Sequence, residues 1–184
     1  MTIEELCRRS YDVAVAKGWH EQKRSFGEAT ALFHSEVSEA LECYRDPNHQ
    51  PDDIWFSDGG KPEGFVIELA DLLIRIGDTV VDMDIPMAAH MFWFEDCPIS
   101  LFGSTLESTG ERDLSILDSL AHIHKNLSEA FGSSDLKTKA FFLGRVMERV
   151  GVLCFNRGWD LEKSLLMKIK YNETRNYRHG DKRA

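Results

Sequence analysis

The sequence predicts an all-α protein, a helical bundle of about five to six main helices. Three observations carry that expectation. Apolar residues recur at i, i+3, i+4 spacing through six stretches, Gly, Pro, Asp and Asn cluster between the stretches, and no convincing strand-like alternation is visible. A chain of 184 residues with 42% hydrophobic and 29% charged content is long enough for one sizeable core, so a single domain over 1–184 is expected.

The first stretch, roughly 2–17, mixes acids and bases within its first ten residues and has no long apolar run. Neither a signal peptide nor a membrane span is expected there, which points to the cytoplasm. The second, 27–45, carries Glu36, Glu39 and Glu42 three residues apart in an otherwise apolar helix, and a turn-rich linker follows at 46–62. The third, 63–83, is the most apolar. A longer linker at 84–111 holds Pro86, Pro98, Gly103 and Gly110, and its apolar run from Met87 to Phe94 predicts a short packed helix. After 112–131, Gly132-Ser-Ser-Asp135 ends one helix and offers Ser134 or Asp135 as the N-cap of the next, 136–157. The last stretch, 160–172, leads into a basic tail, 173–184.

Cys7, Cys43, Cys97 and Cys154 are far apart and form no CxxC pair, so they read as reduced core thiols rather than a disulfide scaffold. The net charge of −9 argues against bulk nucleic-acid binding. That charge is segregated: residues 168–184 hold six Lys/Arg against two acids, a net +4, which leaves −13 on the rest.

With Glu36 set at zero and 100° per residue, Leu32, Phe33, Val37, Ala40, Leu41 and Tyr44 span about −40° to 140°. Glu36 lies inside this apolar arc, Glu39 on its edge, and Glu42 outside it in solvent. The helix around Glu68 is apolar over most of its circumference, and its one polar stripe comprises Glu68, Asp71, Arg75, Asp78 and Thr79. Two i, i+3 carboxylate pairs on adjacent helices, with axes about 8–10 Å apart, would bring four anions within a few ångströms. Either the acids are solvated, as Glu and Asp usually are, or they share a hard cation such as Mg²⁺, Mn²⁺ or Ca²⁺. A ferritin-like di-iron bundle would want Glu-x-x-His, and neither Glu36 nor Glu68 has His three residues on.

A faint repeat lays His34–Leu41 over His124–Phe131 and Asp84 over Asp160, which pairs Glu36 with Asn126, Glu39 with Glu129, Glu68 with Gly144 and Asp71 with Met147. Two accounts are open. Residues 112–172 are a degenerate second copy of the metal-site half, 1–83, or two unrelated amphipathic helices share a common tripeptide.

Taken together, Ala16-Lys-Gly-Trp19, Ser25-Phe-Gly-Glu28, Ala31 to Glu42, Lys61-Pro-Glu-Gly64, Glu68 to Ile76, Lys168-Ile-Lys-Tyr-Asn172 and Tyr177-Arg-His-Gly180 resemble the MazG-like nucleotide pyrophosphohydrolases of the all-α NTP pyrophosphatase superfamily. The likeness covers the N-terminal half and the tail from Lys168, with little to match over 84–160, and Arg175-Asn-Tyr177 departs from an Arg-Pro-Tyr pattern. It implies Mg²⁺-dependent cleavage of a nucleoside triphosphate to monophosphate and pyrophosphate, with Glu36, Glu39, Glu68 and Asp71 as metal ligands and catalytic residues. It also implies a homodimer or higher homo-oligomer. The competing expectation is a catalytically silent nucleotide-binding or regulatory protein of the same fold.

Lys168, Lys170, Arg175 and Arg178 are candidate phosphate contacts, with Tyr171 or Asn172 near the base, the alternative being a solvated basic end. Trp19, Lys23, Arg24 and Phe26 either close over a nucleobase or staple the first helix to the core. Arg75 either pairs with Asp71 or Asp78 or reaches phosphate, and the pairing is the expectation. His34, at about 160° from Glu36, reads as a packed or capping histidine, and His122-Ile-His124 as a poor chelate.

Overall fold

The computed structural model describes residues 1–87, 97–99 and 114–178. Six helices account for most of it: α1 (Ile3–Ala16), α2 (Phe26–Arg45), α3 (Phe65–Asp82), α4 (Ile116–Gly132), α5 (Leu136–Arg157) and α6 (Leu161–Thr174). The protein is an all-α bundle, as the periodicity predicts. The short helix expected within 87–94 lies outside the described residues, apart from Met87.

Side chains start five of the six helices. Thr2 and Ser25 form reciprocal capping boxes with Glu5 and Glu28, and Ser115, Asp135 and Asp160 each accept a backbone N–H at the third helical position. Asp135 is thus the cap of α5, settling the choice between it and Ser134. The sixth, α3, starts at Gly64, whose φ of 140° excludes other residues; a Cβ there would also lie 2.4 Å from the carbonyl oxygen of Asp53.

The expectation of no strand needs correction. Trp55–Phe56 (β1) and Pro62–Glu63 (β2) pair antiparallel, Trp55 opposite Glu63 and Phe56 opposite Pro62. Two-residue strands cannot show alternation, so the pattern that reveals longer strands is absent. This hairpin sets Lys61 and Glu63 beside the N-terminus of α3.

Helix α3 is the hub, packed against α1, α2 and α6, while α4 packs on α5 and α2. Ile67, Leu69, Leu72, Leu73 and Ile76 are fully buried, each worth roughly 1.5–3 kcal/mol relative to exposure. Gly77 lets α1 approach closely, since a Cβ there would sit 3.0 Å from the Cα of Cys7. One contiguous set of buried side chains draws on all six helices. All four cysteines are free, with Cys7, Cys97 and Cys154 buried. Burial pushes the Cys7 thiol up to about 12, so it is packing material, not a nucleophile. Among the described residues no helix is long and apolar enough to cross a membrane.

His34 and His124 meet across the α2–α4 contact, rings stacked at 5.1 Å between centroids and Nδ1 atoms 2.8 Å apart. His34 is therefore packed, not capping. Seven residues earlier on α2, a Cβ on Gly27 would meet Phe131, seven residues after His124 on α4, at 3.3 Å. The two helices therefore cross antiparallel about the histidine pair.

Candidate active site

The site is a cleft between α1, α2, α3 and α6, with a cavity of about 370 Å³. Its walls include Glu36 and Glu39 of α2, Asp71, Ile74, Arg75 and Asp78 of α3, and Asn172 and Arg175 at the end of α6. The i, i+3, i+4, i+7 spacing of Asp71, Ile74, Arg75 and Asp78 explains why one face of α3 lines it over about 10 Å.

At one end, carboxylate oxygens of Glu36, Glu39 and Glu68 lie within 4.8 Å of one another. Glu36 and Glu68 are buried and Glu39 is exposed at the rim, as the helical angles predict. Glu42 stands outside and pairs with Arg45. Asp71 is half-buried and sits beside this trio, its Oδ2 2.8 Å from Lys168 Nζ.

Burial pushes the Glu36 carboxyl up to about 7; the Arg75 guanidinium opposes the shift, and Asp71 and Glu39 add to it. Glu68 is likewise raised, chiefly by burial and against the pull of Lys168. Lys61, 3.6 Å from Glu68, is drawn down by burial but held up on balance by Glu68, Glu39, Glu63 and Asp71. One buried oxygen, Oε2 of Glu68, has no hydrogen-bond partner. The donor set is all oxygen, and Glu68 Oε2 has an ion contact to Lys168 at 3.6 Å but no hydrogen bond, which fits a hard divalent cation.

Several expected partners are rearranged. Arg75 donates from Nε to Glu36 at 2.5 Å, not to Asp71 or Asp78, because its side chain reaches across the α2–α3 groove. Lys168, expected at phosphate, is fully buried; its ammonium lies 2.8 Å from Asp71 and 3.6 Å from Glu68, so it spends its charge on the acids. Asn172 and Arg175 do face the cavity. Arg175 packs over the Tyr171 ring at 5.7 Å, has no ion-pair partner among the described residues, and is lowered from its usual range by burial. Tyr171 is therefore a platform for Arg175 rather than a wall of the cavity.

Arg178 also lies away from the cavity walls. It donates to the Gly18 carbonyl and pairs with Glu21 at 3.2 Å, and the Tyr177 hydroxyl donates to Glu21. Gly18, at φ 78°, has the Tyr177 ring where a Cβ would stand. These contacts fix the 17–21 turn, and with it Trp19 at the far end of the cavity. Phe26 packs against the core under the Lys139 ammonium, as a staple rather than a lid.

At that far end Asp78 anchors a chain that sequence reasoning did not assemble. His20 bridges Asp78 at 2.6 Å and Asp82 at 2.9 Å, and Arg24 donates to Asp78 at 2.7 Å. The sequence signal was the polar stripe on α3; its partners come from a loop about 55 residues earlier in the chain.

Comparison of the chain with protein-family models, with curated proteins and with solved structures returns no match.

Proposed function

We propose that the chain is a Mg²⁺-dependent nucleoside triphosphate pyrophosphohydrolase that converts a ribo- or deoxynucleoside triphosphate to the monophosphate and pyrophosphate, with Mn²⁺ as a substitute ion. The observation that carries this reading is the trio Glu36, Glu39 and Glu68, with oxygens within 4.8 Å and one buried oxygen lacking a hydrogen bond, at the end of a cavity large enough for a nucleotide. A cation held by these residues and Asp71 supplies charge neutralisation and an acidified water.

The chain's own residues do the rest. Five cationic side chains, Lys17, Arg24, Lys61, Arg75 and Arg175, line the cavity against four acids, Glu36, Glu39, Asp71 and Asp78. The lining is thus near neutral, so a protein of net charge −9 can still admit an anion once a divalent cation is added. Among the described residues neither Lys17, which donates to the Glu173 carbonyl, nor Arg175 has a carboxylate partner, and these two cations hold the polyphosphate. Arg75 and Lys168 keep the carboxylates apart and oriented. The site takes nucleotides, not nucleic acid, and the reading is completed by a cytoplasmic homodimer or larger assembly.

The silent-binder alternative has one observation in its favour: Arg75 and Lys168 already neutralise much of the acid cluster. Turnover separates the two. Monophosphate and pyrophosphate release from a triphosphate panel should require Mg²⁺, stop with EDTA, and fall at least about a hundredfold in Glu36→Gln while the helical circular dichroism is retained. No turnover of any triphosphate by folded, Mg²⁺-supplied protein would give the alternative first place.

A further inference from the structure

We propose that Arg75 is an exchangeable counter-ion: it holds Glu36 until a divalent cation binds, then releases that carboxylate and takes a phosphate oxygen of the nucleotide instead. The inference rests on the cation and nucleotide reading above, though not on hydrolysis. It makes Arg75 the link between the two ligands.

Among the described residues two cations reach the four acids at hydrogen-bond distance, and they are seated differently. Lys168 is fully buried, its ammonium 2.8 Å from Asp71 and 3.6 Å from Glu68, so it stays with the acids. The Arg75 side chain is 37% exposed and lines the cavity, although its Nε lies 2.5 Å from Oε1 of the buried Glu36. Lys61 also lines the cavity, but at 3.6 Å from Glu68 it makes only a loose ion contact. The guanidinium is therefore the charge that is both bonded to a member of the carboxylate trio and open to the cavity.

A cation shared by the trio weakens that pairing. Oxygens of Glu36, Glu39 and Glu68 lie within 4.8 Å of one another, so an ion among them stands beside a guanidinium 2.5 Å from one of its ligands. The two positive charges repel and compete for the same carboxylate.

The displaced side chain then finds its neighbours on α3 engaged. Asp71, one turn before Arg75, holds Lys168, and the two oxygens of Asp78, one turn after it, lie 2.6 Å from His20 and 2.7 Å from Arg24. A phosphate oxygen that enters the cavity with the cation is the anion left to it, and the planar guanidinium fork suits phosphate. Such an exchange makes the two ligands cooperative: the cation frees Arg75 for phosphate, and phosphate draws Arg75 off the cation's ligand.

Binding measurements test this without any turnover. By calorimetry at fixed ionic strength, Arg75→Gln should bind Mn²⁺ alone about tenfold tighter than the native protein, and at saturating Mn²⁺ should bind an uncleavable α,β-methylene nucleoside triphosphate about tenfold more weakly. A guanidinium that only orients Glu36 predicts the opposite sign for the ion, since losing a supporting partner weakens metal binding about 10–100-fold. On the native protein, which needs no variant to fold, the Nε–H nuclear magnetic resonance signal of Arg75 should shift when Mg²⁺ saturates the site and shift again when the analogue is added. Mn²⁺ affinity unchanged or weaker in Arg75→Gln, or an Arg75 signal that neither ligand moves, would overturn the proposal and leave the metal site standing. No Mn²⁺ binding by the native protein would sink the cation reading and this proposal with it. The expected shifts in a protein that turns over no triphosphate would sink the hydrolase reading and leave this one in place.

Discussion

The α2–α3 and α4–α5 hairpins pack with similar extent, but they differ in what they bury. The first buries Glu36 and Glu68, with Asp71 half-buried beside them; in the repeat alignment these face Asn126, Gly144 and Met147 in the second. There Met147 is fully buried among apolar neighbours, Gly144 is buried, and Asn126 satisfies itself on the His122 carbonyl one turn back. A hairpin of this kind therefore packs well without carboxylates. The acids of α2–α3 are a cost that the fold does not require, and such costs collect at functional sites.

The alignment gains a spatial counterpart at the α2–α4 crossing. His34 and His124, which coincide in the repeat, touch each other. Self-contact between equivalent positions is what a two-fold relation between two copies produces.

The comparison can be broken most severely by giving the second hairpin the acid of the first. Met147→Asp places a carboxylate at a site with 0% exposure, and should cost more than about 4 kcal/mol by denaturant titration, enough to unfold much of the protein. The equivalent Asp71 is tolerated because Lys168 lies 2.8 Å away. If Met147→Asp is as stable as the native protein, the claimed asymmetry between the hairpins is wrong.

Next in size is the removal of that counter-ion. Lys168→Met leaves Glu68 and Asp71 without their buried ammonium and should destabilise by about 3–5 kcal/mol in metal-free buffer. Millimolar Mg²⁺ should restore part of the loss in a thermal melt. A melt unchanged by the substitution would show that the acids are solvated after all.

The smallest effect concerns the histidine pair that joins the hairpins. Burial lowers both pKa values, and His34 adds to the shift at His124. Below pH 6.5 the unfolded chain takes up protons that the folded pair resists, so this contribution is full above that pH and is lost as pH falls. His34→Phe should flatten the decline in melting temperature between pH 7 and 5. An identical pH profile in native and variant protein would remove the pair from the account.

How much of this was legible in the sequence follows from which interactions are local. Helix positions, five side-chain caps and the apolar faces are set by neighbours within four residues, and the 3.6-residue period displays them. The same period placed Glu36 inward, Glu39 at the edge and Glu42 in solvent. The α2 and α3 acids were therefore visible as candidates before any fold was known.

Side chains that choose partners from remote segments were not legible. Arg75 could reach Asp71 or Asp78 on its own helix, and only the closeness of α2 gives it Glu36. Lys168 reads as a phosphate ligand until α6 is seen to bury it against α3. Arg178 becomes a clamp on the 17–21 turn through Glu21, and Arg24 pairs with Asp78 because α3 stands opposite a loop 54 residues away in the chain. Sequence alone determined the helices and the acids on them, since periodicity and capping are short-range. Tertiary structure alone decided which cation neutralises which acid and which donor is left unpaired, because those pairings depend on distances between helices that no local pattern encodes.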